Sequence, residues 1–222
     1  MTESHTDFIP YPYEKMPPKT MQQRAHDFHQ FMDTRRTIRT FSDEPIPDGV
    51  LEDCIRTAST APSGAHKQPW FFAVVKNPEL KSQIREAAEK EERENYMRRF
   101  PDTWLKDLAQ FGTNHIKEHI DVAPAIVVLF KQNYRMENGE RMKNYYVNES
   151  VGIAAGMFIT AVHNAGLVTL THTPNPMGFL HKILERPQGE VPVLLLPIGY
   201  PEEGAQVPRL TRKPLDEIMR IY

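Results

Sequence analysis

The chain has 222 residues, of which 27 are Lys or Arg and 29 are Asp or Glu, so its net charge is −2. This length fits a single larger domain, and the small net charge argues against nonspecific binding to nucleic acids or acidic membranes, which requires a concentrated positive field. The single cysteine, Cys54, excludes an intrachain disulfide and the N-terminal stretch shows no apolar signal core, so we expect a soluble, cytoplasmic protein with no membrane anchor.

The N-terminal segment is predicted to form an irregular arm over residues 1–20. Regular helix is interrupted there by four prolines, Pro10, Pro12, Pro17 and Pro18. From Met21 onward, apolar residues recur at i, i+4, i+7 and i+11, which predicts an amphipathic helix that ends before Arg35. The rest of the chain, residues 21–222, is predicted to be one domain.

Helical and strand patterns alternate along that domain. Helices are predicted at about 47–57, 78–99, 145–165 and 178–184, and short apolar runs predict strands at 70–75, 125–130, 167–170 and 191–198. Asn138-Gly139 predicts a turn, and Gly166 is a typical helix C-cap. The apolar stretch 151–170 contains polar side chains that are costly in a membrane, so it is interpreted as a helix buried in protein. This order predicts a layered α/β or α+β domain.

The familiar nucleotide and metal motifs are missing from the sequence. No GxGxxG follows a strand and no GxxxxGK[ST] occurs, so neither a dinucleotide-binding loop nor a P-loop is indicated. HExxH is absent and one cysteine cannot supply CxxC, so no metal site is expected. Cys54 falls on the apolar face of its predicted helix, which favours packing in the core over a role as nucleophile.

A basic run, Arg35-Arg36-Thr37-Ile38-Arg39, follows the first predicted helix. A solvated helix end is one interpretation, since positive charges there complement the helix dipole. A phosphate site is the other, since guanidinium groups hold phosphate through paired hydrogen bonds. Arg212 and Lys213 could join such a site, which would need no glycine-rich loop. The residues alone leave both interpretations open.

Several stretches of the sequence carry a family resemblance. The run 35–39, the segment Pro62-Ser63-Gly64-Ala65-His66-Lys67-Gln68-Pro69-Trp70 and the segment Arg212-Lys213-Pro214-Leu215 resemble the flavin-binding landmarks of the nitroreductase superfamily. "SGAH" followed by "PW" resembles its iodotyrosine deiodinase branch, as do EERENYM at 91–97, NAGLVT at 164–169 and THTP at 171–174. The resemblance extends from about residue 21 to the end.

The resemblance implies a nitroreductase-like α+β fold, with a mixed central sheet flanked by helices and FMN at the interface of an intertwined homodimer. It implies FMN-dependent reductive dehalogenation of 3-iodotyrosine and related halotyrosines, giving tyrosine and halide by stepwise one-electron transfer. The electrons would come from an external reductant such as NAD(P)H acting through a reductase. The alternatives are an NAD(P)H-dependent nitroreductase or quinone reductase and, in another class, a non-catalytic flavin-binding electron carrier.

The resemblance also assigns roles to individual residues. Those expected to contact FMN are Arg35, Arg36, Thr37, Ile38, Arg39, Ser63, Thr171, His172, Thr173 and Arg212. Those expected to bind the substrate are Ala65, through its backbone N–H, and Glu92, Tyr96 and Lys117. Thr173 is the expected catalytic residue, with its hydroxyl at the flavin N5. His172 stands where the family often has threonine, so its flavin contact could be limited to the backbone.

Glu92 and Tyr96 are four residues apart and therefore share one face of the predicted helix. A carboxylate can receive the ammonium of an amino acid, and the ammonium of Lys117 can receive its carboxylate. Without the resemblance, the mixed charges of 86–94 are typical of a solvated helix surface. With it, residues of about 86–117 are predicted to form a lid that closes over the substrate.

Overall fold

The structure is a computed structural model that describes residues 8–222, so the first seven residues of the predicted arm lie outside the described part. It divides after Arg35 into two units. In the first, an irregular stretch leads into helix α1, Pro18–Asp33. The helix begins earlier than predicted, because a proline in the first helical turn lacks only an N–H that would have no partner there.

The second unit contains seven α-helices and a π-helical turn, and it broadly follows the predicted order. The helices are α2 Val50–Ser59, α3 Pro78–Glu94, α4 Asp102–Ala109, α5 His119–Val122, α6 Val147–Asn164, α7 Gly178–Ile183 and α8 Leu215–Ile218. Asn95–Arg99 forms the π-helical turn directly after α3, so the predicted helix 78–99 changes its hydrogen-bond pattern over its last turn. Gly64–His66 forms a short 3₁₀ turn before the first strand.

Within residues 8–222, six strands form two sheets. They are β1 Trp70–Val75, β2 Ala125–Gln132, β3 Tyr134–Glu137, β4 Glu140–Lys143, β5 Val168–Thr169 and β6 Glu190–Gly199. The central sheet has the order β1-β2-β6-β5, with every neighbouring pair antiparallel, and β3 and β4 form a hairpin. The central sheet is therefore antiparallel at every strand pair, and an isolated parallel bridge joins Thr37 to Thr169 of β5. The hairpin turns at Asn138 and Gly139 with φ of 50° and 82°, as the Asn-Gly pair predicts.

Helices cover both faces of the central sheet, and β2 shows why. Its residues from Ala125 to Phe130 are all buried, and alternate side chains face opposite sides. Val127 packs with α2 and α6, whereas Ile126 and Val128 pack with α3, α5 and α7. Cys54 is 4% exposed within the first of these cores, so its predicted packing role is confirmed. Burial also raises the pKa of its thiol, which disfavours the reactive thiolate.

Helix α6 packs beside α2, β2 and β5. No helix within residues 8–222 is both long and apolar enough to cross a membrane.

Candidate active site

A pocket of about 180 Å³ lies where α3, the π-helical turn and α4 meet the chain that leaves β5. Seven of the residues singled out from the sequence line it: Arg39, Glu92, Tyr96, Lys117, Thr171, His172 and Thr173. They come from four separate parts of the chain, so the fold brings together three of the four predicted substrate residues and four of the ten predicted FMN residues.

The π-helical turn fixes the wall of the pocket that carries Tyr96. Asn95 is buried and donates from Nδ2 to the carbonyl oxygen of Asn175 at 2.8 Å, which ties the turn to the loop opposite. The rings of Tyr96 and Phe100 lie 5.5 Å apart, and those of Phe100 and Trp104 lie 4.4 Å apart. Three aromatic rings therefore form one side of the pocket and can exclude water from a bound ring.

A buried ion pair forms the floor of the pocket. Lys117 Nζ lies 3.3 Å from Glu92 Oε2, and the two side chains are only 4% and 8% exposed. Lys117 also donates to Thr113 Oγ1 at 3.3 Å and to the carbonyl oxygen of Asn114. Its own backbone N–H donates to Glu89 Oε1 at 2.8 Å. The lysine is thus held from both ends, and the chain keeps an anion and a cation side by side out of water.

Burial affects the pKa values of Glu92 and Lys117 differently. Burial raises the pKa of Glu92, but the facing His172 imidazole and the charge of Lys117 outweigh it and hold that pKa below its usual value. Burial also lowers the pKa of Lys117, and the attraction of Glu92 only partly offsets this effect. Glu92 is therefore ionised at neutral pH, and Lys117 is a destabilised cation that would gain from an anionic ligand.

The chain after β5 alternates between two faces. Thr171 and Thr173 are exposed in the pocket, whereas His172 is 8% exposed and turns inward. Two backbone hydrogen bonds with Leu195, each 2.9 Å, fix His172 against β6. Thr171 and Thr173 are therefore more open to a ligand than His172, whose backbone is paired with β6 and whose residue is almost fully buried.

Beneath the ion pair, His172 meets His119 of α5. The two rings lie 5.8 Å apart at nearly right angles, and His172 Nε2 is 3.7 Å from Glu92 Oε1. Both ring nitrogens of His172 and the Nε2 of His119 are enclosed without a hydrogen-bond partner. Burial, followed by the nearby His172 and Lys117, lowers the pKa of His119 to about 3. Burial also lowers the pKa of His172, so both imidazoles are neutral at pH 7.

The basic run contributes Arg39 to the pocket and Arg36 to its surroundings. Arg39 is partly buried over the Phe111 ring, 5.4 Å from its centroid, and no carboxylate within residues 8–222 pairs with it. Burial lowers its pKa, so the guanidinium is a poorly solvated cation without a counterion. Arg36 donates to the carbonyl oxygen of Pro208, which attaches the C-terminal tail to this run. These features favour an anion site over a solvated helix end.

The remaining predicted residues do not line the pocket. Thr37 and Ile38 join the run to β5 through the Thr37 to Thr169 bridge and a backbone hydrogen bond from Ile38 N–H to the Thr169 oxygen, 3.3 Å long. Arg35 ends the first unit and donates its backbone N–H to Met32. Arg212 lies exposed in the tail.

Ser63 and Ala65 lie in a strained loop outside the pocket lining. Ala65, His66 and Gln68 have φ of 47°, 54° and 49°, a region that side chains other than glycine rarely adopt. Ser63 accepts at Oγ from the Gln68 N–H at 2.9 Å and thereby holds the loop. The described chain provides no acceptor for the Ala65 N–H. Strain of this kind concentrates at functional sites, and here it exposes a backbone donor.

Sequence reasoning missed His119 and Asn95. His119 belongs to a four-residue helix with no periodic signal, and Asn95 is one polar residue in a charged helix. A larger cleft of about 970 Å³ between Phe41, Lys81 and Glu202 contains none of the predicted site residues. The smaller pocket is therefore the candidate site, because it contains the charged and polar residues predicted to bind substrate and FMN.

Comparison with known proteins gives three kinds of match. The model of the nitroreductase family matches residues 32–200. Iodotyrosine deiodinase of Haliscomenobacter hydrossis is 53% identical over 216 residues, which cover 97% of each chain. Human iodotyrosine deiodinase 1 is 45% identical over 220 residues, which cover 98% of this chain and 76% of the human one.

Among solved structures, the chain is similar to a crystal structure of oxidised iodotyrosine deiodinase bound to FMN and 3-iodo-L-tyrosine. The TM-score is 0.76 at 26% identity, and the match covers 85% of this chain and 96% of the other. FMN and 3-iodo-L-tyrosine are ligands observed in that protein.

Proposed function

The chain belongs to the nitroreductase family and, within it, to the iodotyrosine deiodinases, and on that basis we propose that it uses FMN to remove halide reductively from 3-iodotyrosine and related halotyrosines. The observation that carries this proposal is the buried Glu92–Lys117 pair beside an aromatic wall. An amino acid zwitterion offers the complementary pair of charges, and a halogenated phenol suits the aromatic wall.

The residues present fit FMN at two points. Arg39 is a partly buried cation with no carboxylate partner among residues 8–222, as a phosphate site requires. Thr171 and Thr173 present exposed hydroxyls in the pocket, which can hydrogen-bond the polar edge of a flavin. We assign Arg36, Arg39 and Arg212 to the phosphate, with Arg35 beside them in the sequence, and Thr171 and Thr173 to the flavin.

We place the FMN site at the interface of a homodimer. The predicted FMN and substrate residues fall into two groups within one chain, because Ser63 and Ala65 do not line the pocket that holds Thr173. A second copy can bring its Ser63–Ala65 loop to the pocket of the first. Helix α6 supports this arrangement, since a Cβ atom added at Gly152 or Gly156 would meet nothing within 4 Å.

The chain's own groups prepare the substrate for dehalogenation. Glu92 receives the substrate ammonium, and Lys117 with Tyr96 receives its carboxylate. The free N–H of Ala65 in the second copy donates to the phenol oxygen and favours the phenolate, as hydrogen bonding to a charged form does. The rings of Tyr96, Phe100 and Trp104 exclude water. When bound, FMN supplies the two electrons, one at a time, that together with a proton replace the carbon–halogen bond by a carbon–hydrogen bond and release halide.

A binding titration tests the proposal. The oxidised, FMN-loaded protein is titrated with 3-iodotyrosine and, in parallel, with 4-iodophenol, which has no zwitterion, while flavin fluorescence is followed. We expect micromolar quenching by 3-iodotyrosine and little response to 4-iodophenol, and iodide release after reduction with dithionite. Equal responses to both ligands would contradict zwitterion recognition and favour a general nitroreductase. Binding without iodide release would instead favour an electron carrier.

A further inference from the structure

The His172 ring lies beside the buried ion pair, and both of its ring nitrogens are enclosed without a hydrogen-bond partner. Its flanking residues Thr171 and Thr173 face the pocket, whereas its ring turns inward and is 8% exposed. Its Nε2 points toward Glu92 Oε1 at 3.7 Å, which is longer than a hydrogen bond but close enough to become one through a small rotation of the carboxylate.

The two oxygens of Glu92 have different neighbours. Oε2 faces Lys117 Nζ at 3.3 Å, and Oε1 faces His172 Nε2. If a substrate ammonium approaches Glu92 while Lys117 turns to the substrate carboxylate, Oε2 loses its internal partner. His172 is then the contact that Glu92 retains on its inner side, and its backbone is fixed by two hydrogen bonds with Leu195.

We propose that His172 is a positioning residue that donates from Nε2 to Glu92 Oε1 and holds this carboxylate in place while it exchanges Lys117 for the ammonium of the substrate. The proposal rests on the proposed function, because it concerns the same amino acid site. It adds a specificity residue on the hidden side of the carboxylate.

A neutral donor suits this role better than a cation. A lysine or arginine at this position would neutralise Glu92 and compete with the substrate ammonium, whereas a neutral imidazole orients the carboxylate and leaves its charge available. Burial lowers the pKa of His172, and the neighbouring Lys117 and Arg39 act in the same direction, against the opposing effect of Glu92. The enclosed His119 ring beside it adds no positive charge at neutral pH.

Two substitutions separate positioning from packing. His172→Leu fills a similar volume and removes the N–H donor. His172→Gln retains an N–H donor that can occupy the place of Nε2. His181→Leu, on α7 and outside the pocket lining, is the matched control.

For the FMN-loaded proteins, we expect His172→Leu to raise the Kd of 3-iodotyrosine by about tenfold or more, the usual loss for a hydrogen bond to a charged group. We expect His172→Gln to stay within about threefold of the wild type by the same reasoning, and His181→Leu to match the wild type. Equal losses in the Leu and Gln variants would overturn the positioning role. If the wild type fails to bind 3-iodotyrosine, the proposed function itself fails.

A spectroscopic readout is independent of substrate and activity. In protein labelled with ¹⁵N-histidine, the His172 ring nitrogens report which of them carries the proton. We expect a neutral ring with the proton on Nε2, since only that form donates to Glu92. A neutral ring with the proton on Nδ1 would turn a lone pair toward the carboxylate and overturn the proposal.

Discussion

At the scale of single residues, Glu92 and Lys117 show how a site can hold charge without water. Each is nearly fully buried, and each is the main counterion of the other. A lone buried charge is strongly unfavourable, whereas a buried pair is roughly neutral in its effect on stability. The pair should therefore behave as one unit when either residue is replaced.

The first prediction follows from this coupling. Lys117→Met leaves Glu92 buried without a cation and should lower the free energy of unfolding by about 3–5 kcal/mol, and Glu92→Gln should do so by a similar amount. The double variant should lose less than the sum of the two single variants. Urea denaturation at pH 7 measures all three.

The exposed pair Arg98–Glu94 is the matched control, with an N–O distance of 3.5 Å and side chains 76% and 39% exposed. Replacing either of its members should change stability by less than about 1 kcal/mol. A loss of that small size in Lys117→Met would show that Glu92 finds another partner.

The second prediction concerns His119, whose pKa is lowered to about 3 by burial and by the nearby His172 and Lys117. In the unfolded chain the pKa of this histidine is near 6.5. Below that pH the unfolded chain binds a proton at His119 that the folded chain does not bind, so stability falls as the pH falls. Between pH 7 and pH 5 this residue should remove about 2 kcal/mol from the free energy of unfolding.

His119→Phe should therefore be less sensitive to this pH change than the wild type, as measured by urea denaturation at both pH values. His29→Gln, at an exposed position of α1, is the control and should follow the wild type. If the stability of wild type and His119→Phe depended on pH to the same extent, the buried His119 imidazole would not be held neutral as proposed.

At the scale of elements, the π-helical turn Asn95–Arg99 joins α3 to α4 and carries one wall of the pocket. Such turns often occur at functional sites, because the extra residue redirects the side chains that follow. Here Asn95 forms the anchor, since its Nδ2 donates to the Asn175 oxygen and its Oδ1 accepts from Arg99 at 3.2 Å.

The third prediction tests this anchor. Asn95→Ala leaves the Asn175 carbonyl oxygen without its donor and should destabilise the protein by about 1–3 kcal/mol. It should also make the predicted lid, about 86–117, more sensitive to limited proteolysis. 3-Iodotyrosine should protect the lid in the wild type and protect it less in the variant. An identical cleavage pattern in both proteins would show that the anchor does not order the lid.

The fourth prediction concerns the strained loop before β1. A Cβ at Gly64 would lie 2.8 Å from Tyr146 Cδ2 and 3.2 Å from the Tyr145 carbonyl oxygen, so Gly64→Ala must displace the loop. Overpacking of this kind costs about 1–3 kcal/mol, and the displaced loop should present the Ala65 N–H less well. We expect weaker 3-iodotyrosine binding by fluorescence titration.

Tyr146→Gly provides the compensating change, since it removes the crowding ring and relieves a φ of 51° at that position. The double variant Gly64→Ala/Tyr146→Gly should recover part of the lost affinity. If the double variant binds no better than Gly64→Ala, the loss does not come from this contact.

At the scale of the whole molecule, the proposed dimer should depend on the open side of α6. Gly152 and Gly156 are exposed, and Ile153 between them is 45% exposed. This side of the helix therefore presents an apolar side chain and two small residues that a second copy could pack against. The fifth prediction is that Gly156→Arg, which places a charge in the interface core, gives a monomer that loses FMN. Light scattering after gel filtration and the flavin absorbance measure both effects.

Gly178→Arg is the matched control, because a Cβ at that helical glycine also meets nothing within 4 Å. It should remain a dimer and retain FMN. A Gly156→Arg protein that stays dimeric would place the interface elsewhere.

The sequence predicts elements well where one local pattern dominates. The apolar runs of β1 and β2, the Asn-Gly turn and the long helix α6 all lie close to their predicted positions. The antiparallel order of the central sheet is not encoded locally, since strand pairing depends on contacts between distant segments.

The same distinction holds within the site. The spacing of Glu92 and Tyr96 predicts a shared helix face, and both line the pocket. The contact between Asn95 and Asn175 spans 80 residues, and the contact of His119 with His172 joins a short helix to the segment that follows β5. No periodicity reports such contacts, so the polar layer beneath the pocket became visible only in the folded chain.

The internal ion pair has a consequence for which molecules the pocket accepts. Glu92 and Lys117, 3.3 Å apart, already satisfy one another as the two ends of an amino acid would. Binding a zwitterion therefore first separates an existing pair of opposite charges, so the ammonium and carboxylate contacts gain less than they would from two unpaired charges. Glycine, alanine and other abundant amino acids therefore bind weakly, because they must break the contact between Glu92 and Lys117. Only a ligand whose ring adds stacking and phenolate contacts gains enough to break it.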